Sequence, residues 1–164
     1  DQIEIKGSKK VLVTLQDLIL DKTVDFINRA ADSMPDVEFW LLPRKQIPHS
    51  SKANIRVLQP GHFYEAIQRV QIHATVFSST AYEALYFGLP NILINIDNFS
   101  QRFLNDLKIE NGPTNIVNSI EEFKKAFDQL VLSDRQLVKR SSEIYFSKDH
   151  ELQLRNHIKQ EPIR

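Results

Sequence analysis

The 164-residue chain contains no cysteine. That excludes a disulfide-stapled scaffold, a thiolate nucleophile and a cysteine-ligated zinc site, and it suits a cytosolic compartment. It has no excess charge of either sign: Lys plus Arg total 21 and Asp plus Glu total 21, a formal net charge of zero. The global electrostatic footprint of a nucleic-acid binder is therefore missing, and no nucleic-acid partner is expected. No apolar run approaches the roughly 18 residues that a membrane span needs, and no signal peptide is visible, so no transmembrane segment is expected. Several catalytic signatures are also absent. There is no Gly-x-Ser-x-Gly elbow, no P-loop and no Gly-x-Gly-x-x-Gly, which speaks against esterase, NTPase and dehydrogenase chemistry. His73, His150 and His157 show no paired-ligand spacing, and no metal site is expected. What remains is ordinary for a globular domain: 41% hydrophobic and 26% charged residues, in a chain long enough to bury roughly 70% of its unfolded surface. The first residue is Asp1, and a strand follows soon after. We expect an excised piece of a longer protein.

Strand-like apolar runs alternate with helical patterns. Lys10 to Thr14, Val37 to Leu42, Asn54 to Leu58, Ile72 to Phe77, Asn91 to Ile96 and Thr114 to Val117 read as six strands. Between them, helices are expected over Asp21 to Met34 (Asp21 as cap, Pro35 as stop), His62 to Val70, Ser79 to Phe87 (closed by Gly88 and Pro90) and Ser100 to Leu107. Ser119 to Leu132 is an amphipathic helix with Ile120, Phe123, Phe127 and Leu130 on one face, and a last helical segment runs from Asp134 to about Phe146. Glu121, Glu122, Lys124 and Lys125 read as its solvated face. The expected fold is α/β: a doubly wound, mainly parallel six-stranded Rossmann-like sheet with helices on both faces and strand order 3-2-1-4-5-6. Residues 10–146 form the domain, residues 1–9 a linker or N-terminal extension, and residues 147–164 a partly helical tail. In such a sheet a ligand binds outside the carboxyl ends of the strands, where the order reverses. The loops Thr14 to Asp17 and Ser78 to Thr80 would flank that crevice.

Ser78, Ser79 and Thr80 sit between a buried strand and a helix start, where free N–H groups and the helix dipole favour an anion. Small hydroxyl residues let phosphate oxygens come close. Glu83 lies one turn further, where a carboxylate could accept both hydroxyls of a ribose. A second reading stands beside this one. Thr80-Ala81-Tyr82-Glu83 has the capping-box pattern S/T-x-x-E, which recurs at Ser119-Ile120-Glu121-Glu122 without any suspicion of a ligand.

Phe77 to Ile96 (FSSTAYEALYFGLPNILINI) resembles the nucleotide-sugar signature in the C-terminal half of GT-B glycosyltransferases of the bacterial capsule, lipopolysaccharide and peptidoglycan type, and of the related UDP-N-acetylglucosamine epimerases. The E-A-x-x-x-G-x-P pattern is present as Glu83, Ala84, Gly88 and Pro90. The resemblance implies that Ser78, Ser79 and Thr80 hold the donor diphosphate and that Glu83 holds the ribose. It places the base at the Gln59 to Tyr64 loop, with Phe63 or His62 beside it, and donor-sugar contacts at Asp97 and Asn98. Burial of Phe63 in the core and a solvated His62 are the alternatives, as is an ordinary turn at Asp97-Asn98. Where the family often carries a glycine-rich loop, this chain has Thr14-Leu15-Gln16-Asp17, and of these Gln16 would line the crevice.

The implied activity is transfer of a sugar from a nucleoside diphosphate sugar, UDP-sugar first, to an acceptor hydroxyl in surface polysaccharide or glycolipid synthesis. The donor is a substrate, and no cofactor is implied. The acceptor-binding N-terminal domain and the catalytic base would lie outside this chain, in a cytoplasmic enzyme that meets the inner membrane through that missing half. Three alternatives stand: a sugar-nucleotide epimerase, a transferase using CMP- or CDP-linked donors, and a non-catalytic Rossmann-like interaction domain. The CMP/CDP families carry a His-Pro pair, whereas this chain has Pro48-His49.

Overall fold

The computed structural model describes residues 9–146. The proposed tail over 147–164 and all of the N-terminal extension except Lys9 lie outside the described residues. Six parallel strands form one sheet: β1 (Lys9–Thr14), β2 (Val37–Leu42), β3 (Ile55–Val57), β4 (Ile72–Thr75), β5 (Asn91–Ile94) and β6 (Thr114–Val117). Their order is β3-β2-β1-β4-β5-β6, as the alternation of apolar runs and helices predicts. The helices are α1 (Leu20–Ser33), α2 (Phe63–Ile67), α3 (Thr80–Tyr86), α4 (Phe99–Phe103), α5 (Ile120–Leu130) and α6 (Arg135–Ser141).

The period of two along each strand divides the core into two layers. On one face Val11, Val13, Phe39, Leu41, Ile72, Ala74 and Ile92 pack under α1 and α5. Phe123 of α5 anchors this layer, with its ring 5.9 Å from Phe26 of α1 and 6.1 Å from Phe39 of β2. Truncating such a ring to alanine costs about 3–5 kcal/mol. On the other face Leu12, Trp40, Phe63, Ile67 and Ala84 form a cluster under α2 and α3. Ala81, Leu85, Leu93 and Val138 continue it under α3 and α6. Gly88, just past α3, has φ +79, and a Cβ there would stand 2.5 Å from the Arg135 carbonyl oxygen. A glycine is what lets α6 close against the end of α3.

Three local expectations need correction. Asp21 does not cap α1: the helix starts at Leu20 after a single 3-10 turn over Asp17–Ile19, and its N-cap position is Ile19. The hydrophobic stripe reaches one turn further back than the polar residue suggested, and Ile19 is buried with it. The expected helix over 100–107 is instead α4 followed by a 3-10 turn, Asn105–Leu107, with another such turn, Ile96–Asn98, before it. Asp97 (φ 50) and Asn98 (φ 62) both adopt the left-handed region there, which ends β5 early and turns the chain into α4. β4 also stops at Thr75, so Val76 and Phe77 belong to the loop that leads into the crevice.

Candidate functional site

The sheet reverses between β1 and β4, and the carboxyl ends of these strands place Thr14 and Gln16 beside Ser78 and Thr80. Register makes the meeting possible: Val13 pairs with Ala74, which brings the end of β1 level with Thr75. Thr75 Oγ1 donates to the Thr14 carbonyl at 3.1 Å, and Gln16 Nε2 donates to Thr75 Oγ1 at 3.0 Å and to the Thr14 carbonyl at 3.2 Å. The Phe77 N–H points at Gln16 Oε1 from 3.5 Å. Gln16 is therefore buried, and its amide ties the two loops together at the floor of the crevice.

Above that floor lies a cluster of hydroxyls. Thr14 Oγ1 stands 3.0 Å from Thr80 Oγ1, and Thr80 Oγ1 stands 2.8 Å from Ser78 Oγ, two hydroxyl pairs in which either partner can donate. Ser78 Oγ also accepts from the Thr80 N–H at 3.3 Å. Ser78 is buried, Thr80 half-buried and Ser79 exposed. α3 begins at Thr80 and has only seven residues. Its dipole is correspondingly small, and the hydroxyls rather than the helix give this corner its chemistry.

The capping box at 80–83 does not form. Ser79 occupies the N-cap position with helical φ/ψ and no side-chain cap bond. The Glu83 carboxylate turns instead toward α2, where Tyr64 Oη donates to Oε2 at 2.7 Å. Tyr64 was not singled out in the sequence. Its signal lay in the short helix 63–67, whose apolar face buries Phe63 and sets the next residue at the edge of the crevice. Phe63 packs into the core, its ring 5.3 Å from Tyr64 and 6.0 Å from His73, both edge-on. His62 is exposed, with Nδ1 2.7 Å from Glu65 Oε2, and it lines a cavity of about 230 Å³ with Arg56, Gln59 and Arg69.

Asp97 and Asn98 are held separately. Lys22 of α1 pairs with Asp97 Oδ2 at 2.6 Å, and Asn95 Nδ2 donates to Asn98 Oδ1 at 3.3 Å. These two residues lean toward the α1 face of the sheet, whereas Glu83 and Tyr64 belong to the α2 and α3 face. His73, considered in the sequence only for metal spacing, is fully buried at the base of the hydroxyl cluster. Its Nε2 is 3.0 Å from Thr14 Oγ1, and its Nδ1 is 2.7 Å from Asn91 Oδ1. Burial pushes its pKa down to about 4, against a smaller upward pull from the Asn91 hydrogen bond. Among the described residues no group of three or more His, Asp or Glu is arranged to hold a metal ion, and no helix is long and apolar enough to cross a membrane.

No protein-family model matches this chain, and no curated protein matches it. Solved structures do. The glycosyltransferase SnogD from Streptomyces nogalater superposes with a TM-score of 0.60 at 18% identity, over 86% of this chain and 41% of its own. The calicheamicin glycosyltransferase CalG4 gives 0.65 at 13% identity, over 94% and 42%. The S. aureus protein MnaA, solved with UDP, gives 0.54 at 17% identity, over 93% and 44%. The chain thus spans less than half the length of each of these three structures. It has the fold of one half of a GT-B enzyme, as the resemblance at 77–96 implies.

Proposed function

We propose that this chain is the donor-binding half of a glycosyltransferase, taking a nucleoside diphosphate sugar, UDP-linked first, for transfer to an acceptor hydroxyl in surface polysaccharide or glycolipid synthesis. One observation carries the reading: Glu83 is not spent on its own helix. A carboxylate that would otherwise close a capping box is held at the crevice by one bond from Tyr64, and it keeps acceptor capacity on Oε1. A ribose offers two adjacent hydroxyl donors, which match that capacity. Ser78, Ser79 and Thr80 lie about one turn before Glu83, at the start of the same helix. In this reading they donate to the phosphates and stabilise the charge that develops on the leaving group. Gln16 and Phe63 act from beneath, Gln16 by fixing the 14–16 loop and Phe63 by seating Tyr64. Asp97 and Asn98 take the donor sugar from the other side of the crevice. The acceptor surface and the base belong to the missing half, so no catalytic residue is assigned here.

The test is titration of UDP, CDP and GDP into 15N-labelled protein, followed by amide shifts. The expected shifts are confined to residues 77–84 and the loop Thr14 to Asp17. Glu83→Gln retains one acceptor oxygen but loses the charge, and it should weaken binding about tenfold, roughly 1–2 kcal/mol. Absence of shifts at millimolar nucleotide would defeat the reading and leave an unused crevice on a Rossmann-like scaffold.

A further inference from the structure

His73 has no part in the nucleotide reading, yet it meets the hydroxyls of Thr14 and Thr80 directly and that of Ser78 through Thr80. Asn91, its register partner on β5, fixes its tautomer. Asn91 Nδ2 donates to the Ala81 carbonyl at 2.8 Å, which turns Oδ1 toward the imidazole. His73 Nδ1 is 2.7 Å from that oxygen, so Nδ1 carries the hydrogen. Nε2 then faces the hydroxyls bare, 3.0 Å from Thr14 Oγ1 and 3.4 Å from Thr80 Oγ1. From core to crevice the chain runs Asn91, His73, Thr14, Thr80, Ser78.

Hydrogens can be counted along it. Three contacts separate Nε2 from Ser78: Nε2 to Thr14, Thr14 to Thr80 and Thr80 to Ser78. With Thr80 donating to Ser78, the single hydroxyl hydrogen of Thr14 faces two acceptors, Nε2 and Thr80 Oγ1. A bare Nε2 thus leaves one contact without a hydrogen. The alternative is for the run to turn inward, Ser78 donating to Thr80, Thr80 to Thr14 and Thr14 to Nε2. In the inward run Ser78 offers the crevice only lone pairs, which repel an anion. A hydrogen on Nε2 completes the outward run instead. Nε2 donates to Thr14, Thr14 to Thr80, Thr80 to Ser78, and the Ser78 hydrogen is free for an acceptor in the crevice.

We propose that His73 is a positioning residue that sets the direction of this hydroxyl chain, and that a phosphate accepting from Ser78 binds together with one proton taken up at His73 Nε2. The inference rests on the reading that the crevice takes a nucleoside diphosphate. No O–H bond breaks in the reversal: each hydroxyl rotates, the added proton comes from solvent, and the imidazole becomes imidazolium. The elements packed around the ring carry few titratable groups, namely Lys9 and Lys10 on β1, Tyr64 and Glu65 on α2, and Tyr82, Glu83 and Tyr86 on α3, with none on β5. None of them is a cause of the displaced His73 pKa; burial and Asn91 are. A phosphate at Ser78 would supply the counter-charge that the unliganded site lacks.

The experiment uses protein labelled with 15N-histidine, read by long-range 15N–1H correlation at pH 5.5, 6.5 and 7.5, with UDP or uridine added. Calorimetry in two buffers of different ionisation heat counts protons for wild type and for His73→Gln. In the free protein His73 should read as the neutral Nδ1–H tautomer at all three pH values. UDP should move both ring nitrogens toward the doubly protonated position, and uridine should not. Wild type should take up more protons per UDP than His73→Gln, approaching one. Its UDP affinity relative to that variant should rise from pH 7.5 to 5.5, approaching about tenfold per pH unit where the uptake approaches one proton. If UDP shifts amides 77–84 while His73 stays neutral and the proton counts match, the coupling is overturned and the nucleotide site stands. If UDP does not bind wild type, both are overturned. Should His73→Gln fail to fold, the ring-nitrogen shifts of the wild type decide alone.

Discussion

The pattern S/T-x-x-E occurs at the start of α3 and again at the start of α5, with different outcomes. At α5, Ser119 is extended (φ −141, ψ 168), and its Oγ accepts from the Glu122 N–H at 3.1 Å. Glu122 Oε2 reaches back to accept from the Asn118 N–H at 2.6 Å. The motif closes on itself at the surface. At α3, Thr80 is already the first helical residue, which places Glu83 one position too far in to reach back. The Thr80 N–H finds Ser78 Oγ instead, and the carboxylate goes to Tyr64 on another helix. A motif of four residues has meaning only relative to where its helix begins. At α3 that point is set by a buried network of Thr14, His73 and Asn91, whereas α5 has only local chemistry to set it.

If the comparison is right, acid should act on the α3 end through His73. An unfolded histidine titrates near 6.5 and this one near 4 in the fold. Between those values the unfolded state binds more protons, so the contribution of a neutral buried His73 is complete above about pH 6.5 and is lost as pH falls toward 4. The displacement corresponds to about 3 kcal/mol. Urea denaturation at pH 7.0 and 4.5, a window that spans most of the transition, should show wild type losing about 2 kcal/mol more than His73→Gln. Equal losses in the two proteins would place His73 outside a dry polar network.

The sheet was legible in the sequence because each strand is a short β-branched or aliphatic run flanked by breakers. β2 and β6 match their expected bounds, and Pro35, Pro43 and Pro113 bracket those runs. The reversal between β1 and β4 followed from the alternation of strands and helices, and with it the position of the crevice. Ser78, Thr80 and Glu83 were legible as candidates from their place after a buried strand. Their partners were not. Tyr64 meets Glu83 across 19 residues of sequence, and His73 meets Thr14 across 59. IHATVF reads as an apolar strand with a stray histidine. The acceptor opposite that histidine, Asn91, becomes visible only once β4 and β5 are in register. The left-handed pair Asp97-Asn98 was hidden for a related reason: residues 100–107 carry helical spacing, and the turns on either side depend on packing rather than on any glycine.

A smaller effect separates the two serines at the N-cap positions. Ser119→Ala removes a formed cap bond and should lower stability by about 1 kcal/mol, with no change in UDP binding. Ser79 occupies the matching position on α3 but makes no cap bond. Ser79→Ala should therefore leave stability within about 0.5 kcal/mol of wild type, while its loss as a phosphate donor should weaken UDP binding. Thermal denaturation and the same amide titration measure both. A stability loss for Ser79→Ala equal to that of Ser119→Ala would mean that the two helix starts are alike after all.

The smallest expected difference concerns the two glutamates as structural groups. Glu122→Gln removes a negative charge from the first turn of α5 and weakens the bond to the Asn118 N–H, a loss of a few tenths to about 1 kcal/mol that fades with added salt. Glu83→Gln keeps an oxygen to accept from Tyr64 Oη, and the wild-type carboxylate takes no N–H from its own helix start. Its stability cost without nucleotide should be no larger than a few tenths of a kcal/mol. Chemical denaturation of both variants at low and high salt makes the comparison. A salt-sensitive loss at Glu83 as large as at Glu122 would show that the carboxylate stabilises its own helix start. Glu83 would then be occupied with holding the fold and would not be free to take a ribose.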